Sequence, residues 1–513
     1  MNDILHYKPI HLTDEQQYVI DRVMKSENLF ITGESGTGKS ELIKMISNKL
    51  MATGDQVAIT SANVNGAIHI GGKSIQSFSG LGRLEDSWEI IRKKSQLGYV
   101  QKIWNEVNVV IIDDINLLSP MDFKKILYVS QHARQVRTSG IQWILVGDFL
   151  SQIHSSKIKS TDCEDCTDSE DNQIEFCFQL PEWNKLIQET IVLTKNFRQE
   201  DSEWISILND IRRGAGNKIS WVSKIQKQLN IMFPPETPYT KLYPKMEMVN
   251  AENDLQYKRL PTTEEYKFIA QKGYLIGDKV CPLHVPKTHQ HLNKEVLQLL
   301  QTASINEFQR NKLLQFLERN AVVEPIVSLK KGAFVILMAT LHIESKLVKG
   351  AQGIVTGFTE DLYHYPIVKF KTCECVVKSY MWTVHYTSVT KMWYSQIPLR
   401  LGWAYNLYRL RGLSLDQVEI NMRDMFEYGQ VYEVFSKITS LQGINFTTIN
   451  WTSIRTHPTC LAHYSQIRPI TNSSVSSREE EEEEELILKP SHEMDPLWHS
   501  LTESSKKRKI SNI

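Results

Sequence analysis

The chain has 513 residues, 41% hydrophobic and 9% aromatic, which is ample for two globular cores at ordinary domain sizes. No apolar run reaches the ~18 residues of a membrane helix. The opening MNDILHYKPIHLTDEQ lacks a signal-peptide core and an Arg-rich transit pattern, so a nuclear or cytosolic protein with no membrane partner is expected. Lys plus Arg and Asp plus Glu stand at 59 each, but ten acids against five bases fall after residue 478. The body is therefore mildly basic, which is compatible with a channel for a polyanion and is not evidence of one.

In chain order, LTDEQQYVI leads into the apolar strand NLFIT, which is followed by GESGTGKS. This segment, Gly33, Glu34, Ser35, Gly36, Thr37, Gly38, Lys39 and Ser40, sits between a strand and a helix, the setting of a phosphate-binding loop. Its glycines let backbone N–H groups face phosphate oxygens, and the helix start adds a positive dipole end. Lys39 is expected to hold the outer phosphates and Ser40 to ligate Mg²⁺. The helix that follows places Leu42, Ile43, Ile46 and Leu50 on one face.

Further strands are predicted at QVAIT, NVVIID and IQWILVGD, alternating with helical patterns, which is the signature of an α/β protein with a parallel sheet. VVIIDDINLL delivers Asp113 and Asp114 to a strand end. There Asp113 is expected to hold Mg²⁺ and Asp114 to orient or deprotonate a water. Asp148 or Gln152, after the next strand, is a candidate sensor of the terminal phosphate, and Gln16 a candidate adenine reader. Each of these alone is equally read as a solvated turn. Between 353 and 387, GIVTGF, YPIVKF and CECVVKSYMWTV read as a small antiparallel barrel inserted in a second α/β domain.

Seven cysteines without a secretory signal read as reduced thiols. Cys163-x-x-Cys166 lies in the acidic run STDCEDCTDSED, where a mobile surface loop is preferred over a zinc site. NSSVSSREEEEEEE is low in core formers and is expected to be disordered. The KKRK near the end is read as a nuclear import signal in preference to a solvated charge run.

The order of these segments resembles the petite-integration-frequency (PIF) DNA helicases of superfamily 1B, relatives of RecD, over most of residues 12–466. LTDEQ is similar to the adenine motif, VAITSANVNGAIHIGGKSIQSFSGLG to the single-strand contact segment, and QHARQVRTSGIQWILVGDF to the family's signature segment. FCFQLPEWNKLIQETIVLTKNFRQ, LVKGAQGIVTGF, QIPLRLGWAYNLYRLRGLSLDQVEI and GQVYEVFSKITSLQGI follow in family order, and HPTCLAHY closes the match.

The resemblance implies two RecA-like P-loop domains with parallel sheets and ATP between them. The domains would span 1–190, with a small insertion at about 83–106, and 191–470, with an SH3-like β insertion at about 353–390. The tail, 471–513, would be disordered. The implied activity is ATP-dependent 5′–3′ translocation and unwinding on single-stranded, forked or structured DNA, in replication, repair, recombination or telomere maintenance. The implied cofactors are ATP and Mg²⁺. A nuclear monomer is expected, with a cytoplasmic or virus-infected-cell setting as the alternative and a protein partner for the acidic tail. Arg198 would be an arginine finger, and Thr60, Ser61, Asn63, Ser77 and Phe78 would lie on the strand-contact segments. Phe78 is more often a core residue than a base stacker. Arg409 and Arg411 would lie near DNA or phosphate.

Departures from the family pattern cluster in the motor motifs. Asp114 replaces Glu, the Gln of GDFLSQI comes one position late, Tyr408, Arg409 and Arg411 replace His, Lys and Gln, Lys437 replaces the second arginine finger, and Asn63-Val64 replaces Thr-Gly. Asp114 is one methylene, about 1.5 Å, short, and a misplacement of ~1 Å can cost on the order of 100-fold in rate. Lys437 keeps the charge but loses the planar fork. Two readings follow, a slow but active helicase and an ATP-binding DNA clamp or scaffold. The intact Lys39, Ser40, Asp113 and Arg198 favour the first, and the second-domain segments exclude a P-loop kinase or GTPase.

Overall fold

The computed structural model describes residues 12–467 except 83, 135–139, 155–174, 216–218, 232, 235–236, 262–263, 277–278, 283–321 and 386–389. The Cys163 and Cys166 pair, the acidic tail and the KKRK cluster lie outside the described residues.

Six strands of the first half form one parallel sheet: β1 (Leu29–Gly33), β2 (Val57–Ser61), β3 (Lys73–Ser74), β4 (Val109–Asp113), β5 (Gln142–Val146) and β6 (Glu189–Leu193), in the order β3-β2-β4-β5-β1-β6. Every residue of β1, β4 and β5 is buried. This is why these segments read as unbroken apolar runs and not as alternating ones: helices cover both faces of a parallel sheet. Helix α1 (Asp14–Met24) starts on a capping box, in which the Thr13 hydroxyl accepts from the Gln16 amide and the Gln16 side chain accepts from the Thr13 amide, both at 3.2 Å. Helix α2 (Lys39–Ala52) packs on β1 and β2 through the expected Leu42, Ile43, Ile46 and Leu50, all buried. Around Phe30, the rings of Phe149 and Trp183 meet at tilted or edge-on angles with centroids 5.1–5.8 Å apart.

Two helices, Trp88–Ser95 and Gly98–Glu106, lie in the stretch 83–106, where a small insertion was expected. Ile91, Val100 and Trp104 anchor it, and the Trp104 indole donates to the Ser79 carbonyl at 3.2 Å. The domain boundary expected at 190/191 falls inside β6, which pairs with β1 in parallel as far as Gly33 and Leu193. The strand is held by a partner some 160 positions earlier, which no local pattern announces.

The second half carries a four-stranded parallel sheet of Ala404–Asn406, Thr240–Tyr243, Val418–Asn421 and Ile444–Thr448, in that order. The helix Ser202–Arg212 is capped by the Asp201 carboxylate and buries Trp204, Ile207, Leu208 and Ile211, a stripe at helical spacing. Antiparallel strands occur where a small barrel was expected, but they are divided. Gln352–Phe358, Pro366–Phe370 and Glu374–Val376 join Phe334–Leu337 and Leu399–Leu401 in a five-stranded sheet. Tyr380–His385 instead pairs with Thr390–Gln396, which continues onto Gln271–Ile276. The antiparallel part is thus wider than 353–390, because its outer strands come from segments distant in the chain.

Candidate functional site

The carboxyl ends of β1, β4 and β5 open on one side of the first sheet, and segments of the second half face them across a cleft of about 780 Å³. Crevices of this kind, at the strand ends of parallel sheets, are where ligands bind in open α/β folds. β1 runs into the glycine-rich loop. Gly36 and Gly38 have φ of +96° and +82°, and a Cβ at Gly36 would stand 2.8 Å from Asn196 Oδ1 and 3.0 Å from Arg198 Cβ. Backbone conformation and close approach both require glycine there. Lys39, at the first position of α2, donates from Nζ to the carbonyls of Gly33 and Glu34, each at 2.7 Å. Burial lowers its pKa. Ser40 lines the same cleft.

β4 brings up the two acids. Asp113 is buried, and the amide of Asp114 donates to its Oδ1 at 2.9 Å. Burial, then the adjacent Asp114 carboxylate, push the Asp113 carboxyl up to about 7 against the pull of Lys39 and Arg411. Asp114 sits at φ +56°, a left-handed conformation that a non-glycine residue adopts at a cost. Its carboxylate pairs with Arg411 at 2.5 Å.

From the facing wall, Arg198 Nη1 reaches the Ser35 hydroxyl at 2.7 Å and the Ser436 carbonyl at 3.0 Å, while its Nε donates to Ser414 Oγ at 2.9 Å. Lys437 Nζ donates to the same Ser35 hydroxyl at 2.8 Å and pairs with Glu433 at 3.0 Å. Burial drives the Lys437 ammonium down to about 8 in spite of Glu433. Burial would raise the Glu433 carboxyl, but Lys437 and Arg411 outweigh it and hold it down to about 2. Two cations from the second half therefore meet on one hydroxyl of the glycine-rich loop.

The structure brings Lys39, Ser40, Asp113, Asp114, Arg198, Arg411 and Lys437 to one cleft. Gln16 is buried behind the glycine-rich loop and does not line the cleft; its Nε2 lies 3.4 Å from the Thr37 carbonyl. Arg411, expected near DNA or phosphate, is on the cleft side, while Arg409 is exposed. Gln152 is not in this cleft. It lines a separate groove with Asn63 and Val64, and its Nε2 donates to Glu427 at 2.8 Å. The one-position delay turns the side chain away, and Ser151 takes the cleft-facing place, with Oγ 2.5 Å from Glu433. Asp148 does line the cleft, but both of its oxygens are held by Arg212.

Two of the expected strand-contact residues are occupied within the fold. The Thr60 hydroxyl is buried and donates to the Ile111 carbonyl at 2.6 Å, and buried Ser61 accepts from the Asn63 amide at 3.1 Å. Both lie on β2 and are buried; Thr60 is tied to the neighbouring strand, while Ser61, at the strand end, stands close to Gly66, where a Cβ would lie 2.9 Å from Ser61 Oγ. Phe78 packs edge-on against Trp104 with centroids 5.2 Å apart, the core role that its residue type favours. Ser77 is exposed and Asn63 half-buried. Arg212 and Glu433 were not anticipated. Glu433 stands four residues before Lys437, a spacing that a helical reading could have used. Arg212 had no local signal.

Residues 11–226 match the model of the family described as PIF1-like helicase. The chain is 29% identical over 478 residues to the human ATP-dependent DNA helicase PIF1, covering 91% of this chain and 65% of that one. It is 26% identical to the uncharacterised protein 030L of invertebrate iridescent virus 6, covering 91% of this chain and 96% of the viral one. The fold resembles the crystal structure of a Bacteroides Pif1 in complex with ADP-AlF4, with a TM-score of 0.65 at 19% identity over 89% of this chain and 97% of that one. The chain thus spans about two thirds of the length of the human relative. With its glycine-rich loop and its two parallel sheets, the chain is similar to the PIF1-like helicases, by the family model over residues 11–226 and by these relatives over most of its length.

Proposed function

We propose that this protein is an ATP-dependent DNA helicase or translocase that moves 5′ to 3′ on single-stranded DNA. The observation that carries the reading is the meeting of Arg198 and Lys437 on Ser35 Oγ, beside Lys39. A hydroxyl that accepts from two cations occupies the place where a terminal phosphate, with more charge and more acceptor oxygens, is the stronger partner. On nucleotide binding, Lys39 would leave the loop carbonyls for the outer phosphates, and Arg198 and Lys437 would exchange Ser35 for the transferring group. That exchange draws the second half towards the first and stabilises charge in the transition state. Asp114 would orient the attacking water, and Gln16 would read the adenine edge.

Ser40 and Asp113 would hold Mg²⁺. The donor set fits, since burial and a neighbouring carboxylate both oppose the charge on Asp113, and a divalent cation there compensates it. When bound, the ion neutralises phosphate charge.

For DNA we assign Asn63, Ser77 and Arg409 on the grounds of accessibility, and leave out Thr60, Ser61 and Phe78. We place the division between the RecA-like halves after Leu193. We propose work in replication, repair or recombination, telomeres included, on forked or structured DNA and as a monomer; the human relative's printed activity, an ATP-dependent DNA helicase, supports action on DNA. The KKRK cluster supports the nucleus as its location, and the viral relative supports an infected cell as the alternative. The acidic tail would take a protein partner.

The test is steady-state ATP hydrolysis with and without single-stranded DNA, wild type against Lys39→Ala. DNA-stimulated turnover that vanishes in the variant is the expected result. Binding of ATP and DNA without turnover above the variant would replace this reading with that of an ATP-gated clamp.

A further inference from the structure

Asp114 and Arg411 stand on opposite walls of the cleft, and their side chains, 23% and 15% exposed, meet at 2.5 Å. The carboxylate is confined on its other side. A Cβ on Gly66 would lie 2.9 Å from Asp114 Oδ2, so the acid is wedged between the α3 helix (Val64–His69) and the guanidinium. Arg411 is fixed in turn. Gly412, at φ +72°, turns the chain against His69 and Lys349, and Lys349 Nζ donates to the Arg411 carbonyl at 3.4 Å. Burial works against the charge of Arg411, but Asp114 and Glu433 outweigh it.

Both residues are departures from the pattern that the sequence resembles, one a methylene shorter and the other longer and charged. We propose that they are a matched pair: Arg411 is a positioning residue that holds the shortened Asp114 carboxylate in place across the cleft. The proposal rests on the reading of Asp114 as the acid that orients water. A charge-assisted Arg–carboxylate contact fixes distance and angle together, which a neutral amide at 411 does not. The same geometry makes a longer acid at 114 unfavourable while Arg411 remains, because the guanidinium already fills the space that the added methylene needs.

A double-mutant cycle tests this, with kcat and KM for ATP measured in saturating single-stranded DNA for wild type, Arg411→Gln, Asp114→Glu and the double variant. Each single variant is expected to lose roughly 10- to 100-fold in kcat with KM little changed, because the acid is displaced by about an ångström. The double variant is expected to recover to within about 5-fold of wild type, since residues in contact do not act independently. Arg411→Lys, which keeps the charge, should lose less than Arg411→Gln. A double variant as slow as the product of the two singles, or an Arg411→Gln with unaltered kcat, overturns the pairing.

If wild type shows no turnover above Lys39→Ala, the hydrolytic reading fails on its own. The cycle is then read from the affinity of a fluorescent non-hydrolysable ATP analogue with Mg²⁺. Coupling of about 3-fold or more supports the pair, and additive effects overturn it.

Discussion

Arg212 grips Asp148 with two branches of its guanidinium, Nε to Oδ2 at 2.9 Å and Nη2 to Oδ1 at 2.8 Å, and the two side chains are only 8% and 6% exposed. One comes from the end of the helix Ser202–Arg212, the other from the turn after β5, so the pair ties the second half to the first at the cleft. Breaking it leaves a buried charge without a partner. Arg212→Met is expected to lose roughly 3–5 kcal/mol in urea denaturation, and Asp148→Leu/Arg212→Met clearly less, because the paired replacement strands no charge.

Lys437 gives the site a pH signature. Its ammonium is driven down to about 8 by burial, so it is charged below that pH and neutral above it. An anionic triphosphate favours the charged form. ATP affinity is therefore expected to fall as the pH rises through 8, by at most about tenfold per pH unit for each proton taken up. Lys437→Arg stays charged and should flatten the decline in a fluorescent-nucleotide titration. A residual slope is expected from Lys349, also held near 8 by burial in the same cleft.

Gln152 and Ser151 should separate in mutagenesis. Gln152 meets Glu427 outside the cleft, whereas Ser151 Oγ donates to Glu433, the partner of Lys437. Gln152→Ala is expected to leave kcat within about twofold of wild type, and Ser151→Ala to lower it by about tenfold through a misplaced Glu433. Steady-state ATP hydrolysis decides, and the reverse order would restore Gln152 to the site.

Thr60 is a stability residue on this structure. Thr60→Val removes the bond to the Ile111 carbonyl and is expected to cost about 1–2 kcal/mol. Single-stranded DNA affinity, measured by fluorescence anisotropy, should not change. Loss of DNA affinity in a variant that melts like wild type would return Thr60 to the interface.

Much of the first half was legible because its signals are local. Unbroken apolar runs gave buried parallel strands, GESGTGKS marked a glycine-rich turn between a strand and a helix, and the spacing of Leu42, Ile43, Ile46 and Leu50 gave the packed face of α2. The residue types of Lys39, Ser40 and Asp113 carry their chemistry at short range, so their meeting in one cleft followed from the strand ends alone. What the sequence could not supply depends on partners far along the chain. The membership of Glu189–Leu193 in the first sheet, the division of the antiparallel strands between two sheets, and the burial of Thr60 and Ser61 are of this kind.

The same holds for the ion pairs. Sequence by itself determined which residues carry charge and marked Asp114 and Arg411 as unusual. Only the tertiary structure decided that these two meet, and that Asp148 answers to Arg212 instead of facing a phosphate freely. The physical reason is range. Periodicity and motif spacing report on neighbours within a few turns of chain, whereas an ion pair across a cleft is fixed by the packing of two sheets that the local pattern never sees together.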